Sequence, residues 1–188
     1  MEQSNIPTLT SLAPVPRRPA SRGLLLVLGA ALLLAALLQT GGAVYLPHGA
    51  PRPDLVLLVA LAWGFRRGGA AGVWAGLAGG ALLDLCSSAP FGLHVLTYGT
   101  ALLFTMGARN PFASSFLRRV GGTLLAATTV HLLSLVLLQT RGWEVWWPAA
   151  MVRAILPAIA ADTVLFPLCY ALLPRLPEPQ ENGIPLGG

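Results

Sequence analysis

Charge is scarce in this chain, and lysine is missing altogether. Charged residues make up 10% of the 188 and hydrophobic ones 55%, whereas soluble globular domains carry about 25% charged residues. So little charge excludes an ordinary water-soluble domain and places the chain in a bilayer. Without lysine there is no phosphate-binding glycine loop, which needs that side chain beside its glycines. Neither Gly-x-Ser-x-Gly nor His-Glu-x-x-His occurs, so the familiar nucleophile and zinc-protease signatures are absent too. A membrane enzyme can still assemble its site from distant helices, but nothing here points to one. Cysteine is equally sparse: Cys86 and Cys169 each end an apolar segment, at what the topology below makes opposite faces of the membrane. That placement argues against a disulfide and against a two-cysteine metal site. His48, His94 and His131 show no ligand spacing. No metal or cofactor is assigned.

What charge there is lies in useful places. All twelve basic residues are arginines, and the net charge is +5. They sit between apolar segments instead of forming one dense patch, which suits membrane topology and not nucleic-acid binding. Residues 1–22, rich in Pro, Ser and Thr, read as a flexible tail ending in Arg17, Arg18 and Arg22. Gly23 to Leu46 then runs 24 residues without a charge. About 20 suffice to span the hydrocarbon core, and a cleaved signal would have a core of only about 7 to 15. This is the first expected transmembrane helix. Pro53 and Asp54 start a second, since proline suits the first turn and an acid suits the positive end of the helix dipole. That helix, ending near Phe65, is short for a span, so it is expected to snorkel its flanking arginines or to thin the bilayer. Four more spans follow at Gly69–Cys86, Phe91–Ala108, Val120–Gln139 and Ala149–Leu173, and Pro157 and Pro167 should kink the last.

Six spans put both termini on one side. Arg17, Arg18, Arg22, Arg66, Arg67, Arg109, Arg118, Arg119 and Arg175 share that side, against Arg52 and Arg141 in loops on the other, with Arg153 inside the last helix. The positive-inside rule makes the termini cytoplasmic. Trp143, Trp146 and Trp147, in an outer loop, fit an interfacial aromatic belt. The expected organisation is a tail over 1–22, a six-helix domain over 23–176 and a second tail over 177–188, both tails cytoplasmic.

The third span repeats glycine every four residues at Gly68, Gly72, Gly76 and Gly80, and the spacing continues to Asp84 and Ser88. Residues four apart lie almost above one another, so the ridge is a groove that another backbone can approach closely. It is read as either the internal packing axis or the docking face for a partner's transmembrane helix. Asp84 lies at the outer edge, where two readings stay open: an ion pair with Arg153 at similar depth, or a hydrated carboxylate that caps the following turn through the Ser87 and Ser88 amides. Asp162 lies near the midpoint of the sixth span and His131 near that of the fifth. A buried carboxylate needs a donor, so a hydrogen bond from His131 or Thr128 is expected. No chain of titratable groups leads from Asp162 to either surface, which favours a structural polar clamp over a proton relay.

The stretch "RPDLVLLVALAWGFRRGGAAGVWAGLAGGALLDLCSSAPFGLHVL", Arg52 to Leu96, resembles the MreD family of bacterial rod shape-determining membrane proteins. It shows a Pro-Asp helix start, a short helix with an aromatic end, a glycine-rich helix closing on Leu-Asp-Leu, and a small-residue turn into Gly-Leu-His. The stretch "LPAIAADTVLFPLCYALLPRL", Leu156 to Leu176, resembles the family's last helix, in which two prolines bracket a polar position, usually Asn and here Asp162. The resemblance implies an all-α membrane fold of six transmembrane helices, similar to the substrate-binding subunits of energy-coupling-factor vitamin transporters. It further implies a non-enzymatic scaffold in the bacterial inner membrane that binds MreC, a bitopic protein with a periplasmic domain. Other membrane proteins of the elongation machinery would be partners, in support of peptidoglycan synthesis and rod shape. A homodimer is compatible with the sequence. The rival reading is a transporter subunit holding a vitamin.

Overall fold

The computed structural model describes residues 22–42, 52–108 and 115–173. They form six helices, α1 (Arg22–Gly42), α2 (Leu55–Arg67), α3 (Gly69–Cys86), α4 (Leu93–Gly107), α5 (Ser115–Thr140) and α6 (Trp147–Leu172), with no strand among the described residues. The end of the first expected span, Arg109, Arg175 and all of both tails but Arg22 lie outside the described residues. Helices α1, α3, α5 and α6 are long and apolar enough to cross a membrane. Leu26, Leu34, Trp74, Phe104, Val164 and Leu172 all point outward, and so wide an apolar exterior suits lipid, not water. The molecule is an all-α membrane protein.

The short second helix sits at the centre. Val56, Leu57, Leu58, Ala60, Leu61 and Ala62 of α2 are fully buried, and every other helix touches it. Its 13 residues make a rod of only about 20 Å, less than the hydrocarbon thickness. Because α2 is walled in by protein, that shortfall calls for no thinning of the bilayer. Its terminal Arg66 does not reach straight out to the interface either: the side chain folds over Tyr170 of α6 and donates to the Tyr170 carbonyl.

Only Gly68 joins α2 to α3, with φ of 104°, a value that L side chains avoid and glycine accepts. The reversal lays the two helices side by side, and Gly64 of α2 meets Gly72 of α3. A Cβ on Gly72 would lie 2.7 Å from the Gly64 Cα. Further along the ridge the neighbour is α4. A Cβ on Gly76 would lie 2.0 Å from Leu102 Cδ1, and one on Gly80 2.7 Å from the His94 carbonyl oxygen. The glycine ridge is thus occupied from within the chain, by the backbone of α2 at Gly72 and by α4 at Gly76 and Gly80. These contacts are those of internal packing.

Helices α5 and α6 each depart from the plain expected span. Helix α5 begins at Ser115, five residues before Val120, so Arg118 and Arg119 belong to its first turns; long arginines at a helix end can reach the interface without ending the helix. In α6 the distortion expected from Pro157 shows as a π-helical turn, Met151–Ile155, just before it. Proline has no N–H to give to the preceding turn, and the wider winding lets the Leu156 N–H pair with the Met151 carbonyl five residues back.

Candidate functional site

At the end of the bundle that the arginine pattern assigns to the outside, α2 and α4 both begin, and each needs partners for the free N–H groups of its first turn. For α2 they come from its own N-cap and from two neighbouring helices. The Asp54 side chain accepts from the Leu57 N–H at 3.1 Å. Gln39 Oε1 of α1 accepts from the Val56 N–H at 3.2 Å. Asp162 Oδ1 of α6 accepts from the Asp54 N–H at 2.6 Å. The other Asp162 oxygen lies 3.2 Å from His131 Nε2 of α5, so one fully buried carboxylate ties α6 to both α2 and α5. Asp54 takes a further bond from the Tyr98 hydroxyl of α4, 2.5 Å away. The partial positive charge at the start of α2 favours two acids at a depth where an isolated one would be costly.

Asp84 serves α4 in the same way. Its Oδ2 accepts from the Gly92 N–H at 2.9 Å and the Val95 N–H at 3.2 Å; its Oδ1 accepts from the His94 N–H at 3.0 Å and lies 2.8 Å from His94 Nδ1. The expected pair with Arg153 does not form, because these donors occupy both Asp84 oxygens and Arg153 is exposed on the π-helical turn. Of the alternatives weighed, the capping role stands, but through Gly92, His94 and Val95 instead of the Ser87 and Ser88 amides. The Asp162 partner is His131, not Thr128. Each short helix therefore opens on an Asp–His pair whose acid comes from a neighbouring long helix.

These two caps flank a cavity of about 420 Å³, lined among others by Gln39, Arg52, Asp54, His94, Tyr98 and His131. It is a recess of mixed lining, with these polar side chains set among Leu38, Leu55, Leu83 and Val130, and is able to take a polar group. Among the described residues no cluster of three acidic, cysteine or histidine side chains is placed to hold a metal ion. Sequence reasoning missed the joint role of Gln39, Asp54, His94 and Tyr98. Asp54 was legible as a helix start, and His94 and Tyr98, four apart on α4 with rings 6.0 Å apart, carried the signal of a shared face. Gln39 gave none.

No curated protein matches the chain, and no solved structure does. A family described as rod shape-determining protein MreD matches over residues 21–176, a span that takes in all six helices and every residue of the outer recess. With most of its length so matched and its helices packed as a membrane bundle, the chain belongs to the MreD family of rod shape-determining membrane proteins.

Proposed function

We propose that this chain is a non-enzymatic scaffold of the cell-elongation machinery, seated in the bacterial inner membrane with both termini cytoplasmic, that binds MreC and so supports peptidoglycan synthesis and rod shape. The observation that carries the reading is the family match along residues 21–176. The geometry is in keeping with it: Asp54, Asp84 and Asp162 are all engaged as helix caps. With the glycine ridge filled by α2 and α4, the MreC anchor docks on another face of the bundle. Other elongation-machinery membrane proteins, or a second copy of this chain, can occupy the remaining lipid-facing surface. Co-expression with MreC from the same bacterium, followed by purification through a tag on MreC, tests the proposal: a defined complex is expected. Recovery of MreC alone across several mild detergents would count against it.

The recess favours one second reading, a subunit that captures a small molecule, as in vitamin transporters. Mass spectrometry of the purified protein separates the two. A stoichiometric vitamin in the recess, without MreC, would decide for transport.

A further inference from the structure

The opposite end of the bundle carries an arrangement that neither scaffold packing nor the recess explains. Arg66 lies in the last turn of α2, Arg119 in the second turn of α5, and Tyr170 near the end of α6. The two guanidinium carbons stand over the one tyrosine ring, at 4.3 Å for Arg66 and 4.4 Å for Arg119. The Arg66 Nε is buried and has no hydrogen-bond partner. Among the described residues no carboxylate answers these charges: the acids there are Asp54, Asp84 and Asp162, engaged at the other end, and Glu144 in the α5–α6 turn. Arg67, 5.8 Å from the Trp63 ring, adds positive charge nearby, while Arg118 is exposed on α5.

Topology alone would ask only that these arginines lie on the right side of the membrane. It does not ask that two be held on one ring beside a buried donor left unmet. Like charges this close repel, and attraction to the ring face offsets only part of that. An anion with several oxygens would offset the rest, since the guanidinium fork matches phosphate geometry. Exposed Phe116 and Leu172 at the same end offer apolar surface to chains attached to such an anion.

We propose that Arg66, Arg119 and Tyr170 form a binding site for the phosphodiester of an anionic phospholipid headgroup. The site is independent of MreC binding. Lipid-depleted full-length protein in a neutral detergent is titrated with phosphatidylglycerol, with phosphatidylcholine and, separately, with inorganic phosphate, and binding is followed by native mass spectrometry and thermal shift. Phosphatidylglycerol should bind and stabilise the wild type, while the other two should not. Arg119→Gln should weaken that binding on the order of tenfold, the scale of one hydrogen bond to a charged group, and Arg118→Gln should leave it unchanged. Arg66→Lys keeps the charge but loses the fork, and should weaken it as well. Equal binding of phosphatidylcholine, an unchanged affinity in folded Arg119→Gln, or an equal response to inorganic phosphate would each overturn the assignment.

Discussion

Replacing Gly80 with alanine puts the packing of α3 on α4 to a quantitative test. The new Cβ would sit 2.7 Å from the His94 carbonyl oxygen and 2.8 Å from both the His94 carbonyl carbon and the Val95 nitrogen. All three are backbone atoms of α4, so no side chain can swing aside. Ordinary contact begins at 3.4 Å, so the oxygen has to move from 2.7 to 3.4 Å, a displacement of 0.7 Å. The same shift carries the first turn of α4 away from Asp84. The weakest bond there, from the Val95 N–H at 3.2 Å, would lengthen to about 3.9 Å, beyond hydrogen-bond reach. Overpacking costs about 1–3 kcal/mol, and a lost bond to a charged group costs about 1.5–3, so a total near 4 kcal/mol is expected. For a chain of this size that lowers the melting temperature by roughly 8–16 °C. The assay is thermal unfolding in detergent followed by tryptophan fluorescence, with Gly29→Ala as control, since nothing lies within 4 Å of a Cβ there. If Gly80→Ala melted with its control, the close approach of these two backbones would be refuted.

Asp84→Asn should destabilise the protein by about 2–3 kcal/mol, because an amide cannot accept from every donor that the carboxylate serves, whereas Arg153→Ala should be neutral; thermal unfolding compares them, and equal losses would revive the ion pair. Asp162→Ala should cost roughly 2–4 kcal/mol by leaving the Asp54 N–H and His131 without their partner, while Asp162→Asn, which keeps an oxygen for that N–H, should cost under about 1. The assigned topology is checked by labelling with a membrane-impermeant maleimide in spheroplasts. Exposed Cys86 should react from outside and Cys169 should not, so Cys86→Ser should abolish the signal; labelling retained through Cys169 would invert the orientation.

Much of this architecture was legible from apolar run length and small-residue spacing. The third span was read with its observed limits, Gly69–Cys86, because a glycine turn and a Ser-Ser-Ala-Pro stretch bracket it. The glycine ridge announced close packing, but a period of four cannot say which neighbour fills the groove, and so the choice between a partner and the chain's own α2 and α4 stayed open. The choice between two readings of Asp84 stayed open for a related reason. Its partners are backbone N–H groups eight to eleven residues on, donors that every residue but proline carries and no sequence marks, whereas Arg153 offered a conspicuous opposite charge. The His131–Asp162 bond could be foreseen because two polar groups at equal depth in neighbouring spans have few other choices. That Asp162 also holds the first turn of α2 depends on where a 13-residue helix starts within the bundle, a matter of three-dimensional depth.

The recess owes its existence to the brevity of its floor. Arg52, Pro53, Asp54 and Leu55 line it from below, at the level where α2 starts, while the longer helices α1, α3 and α5 wall it in through Gln39, Leu83 and His131. Depth is then a matter of residue count: each residue added ahead of Asp54 in helical form would raise the floor by about 1.5 Å. Evolution could make such a protein's vestibule shallower or deeper by inserting or deleting residues in one short helix, without repacking a single lipid-facing side chain.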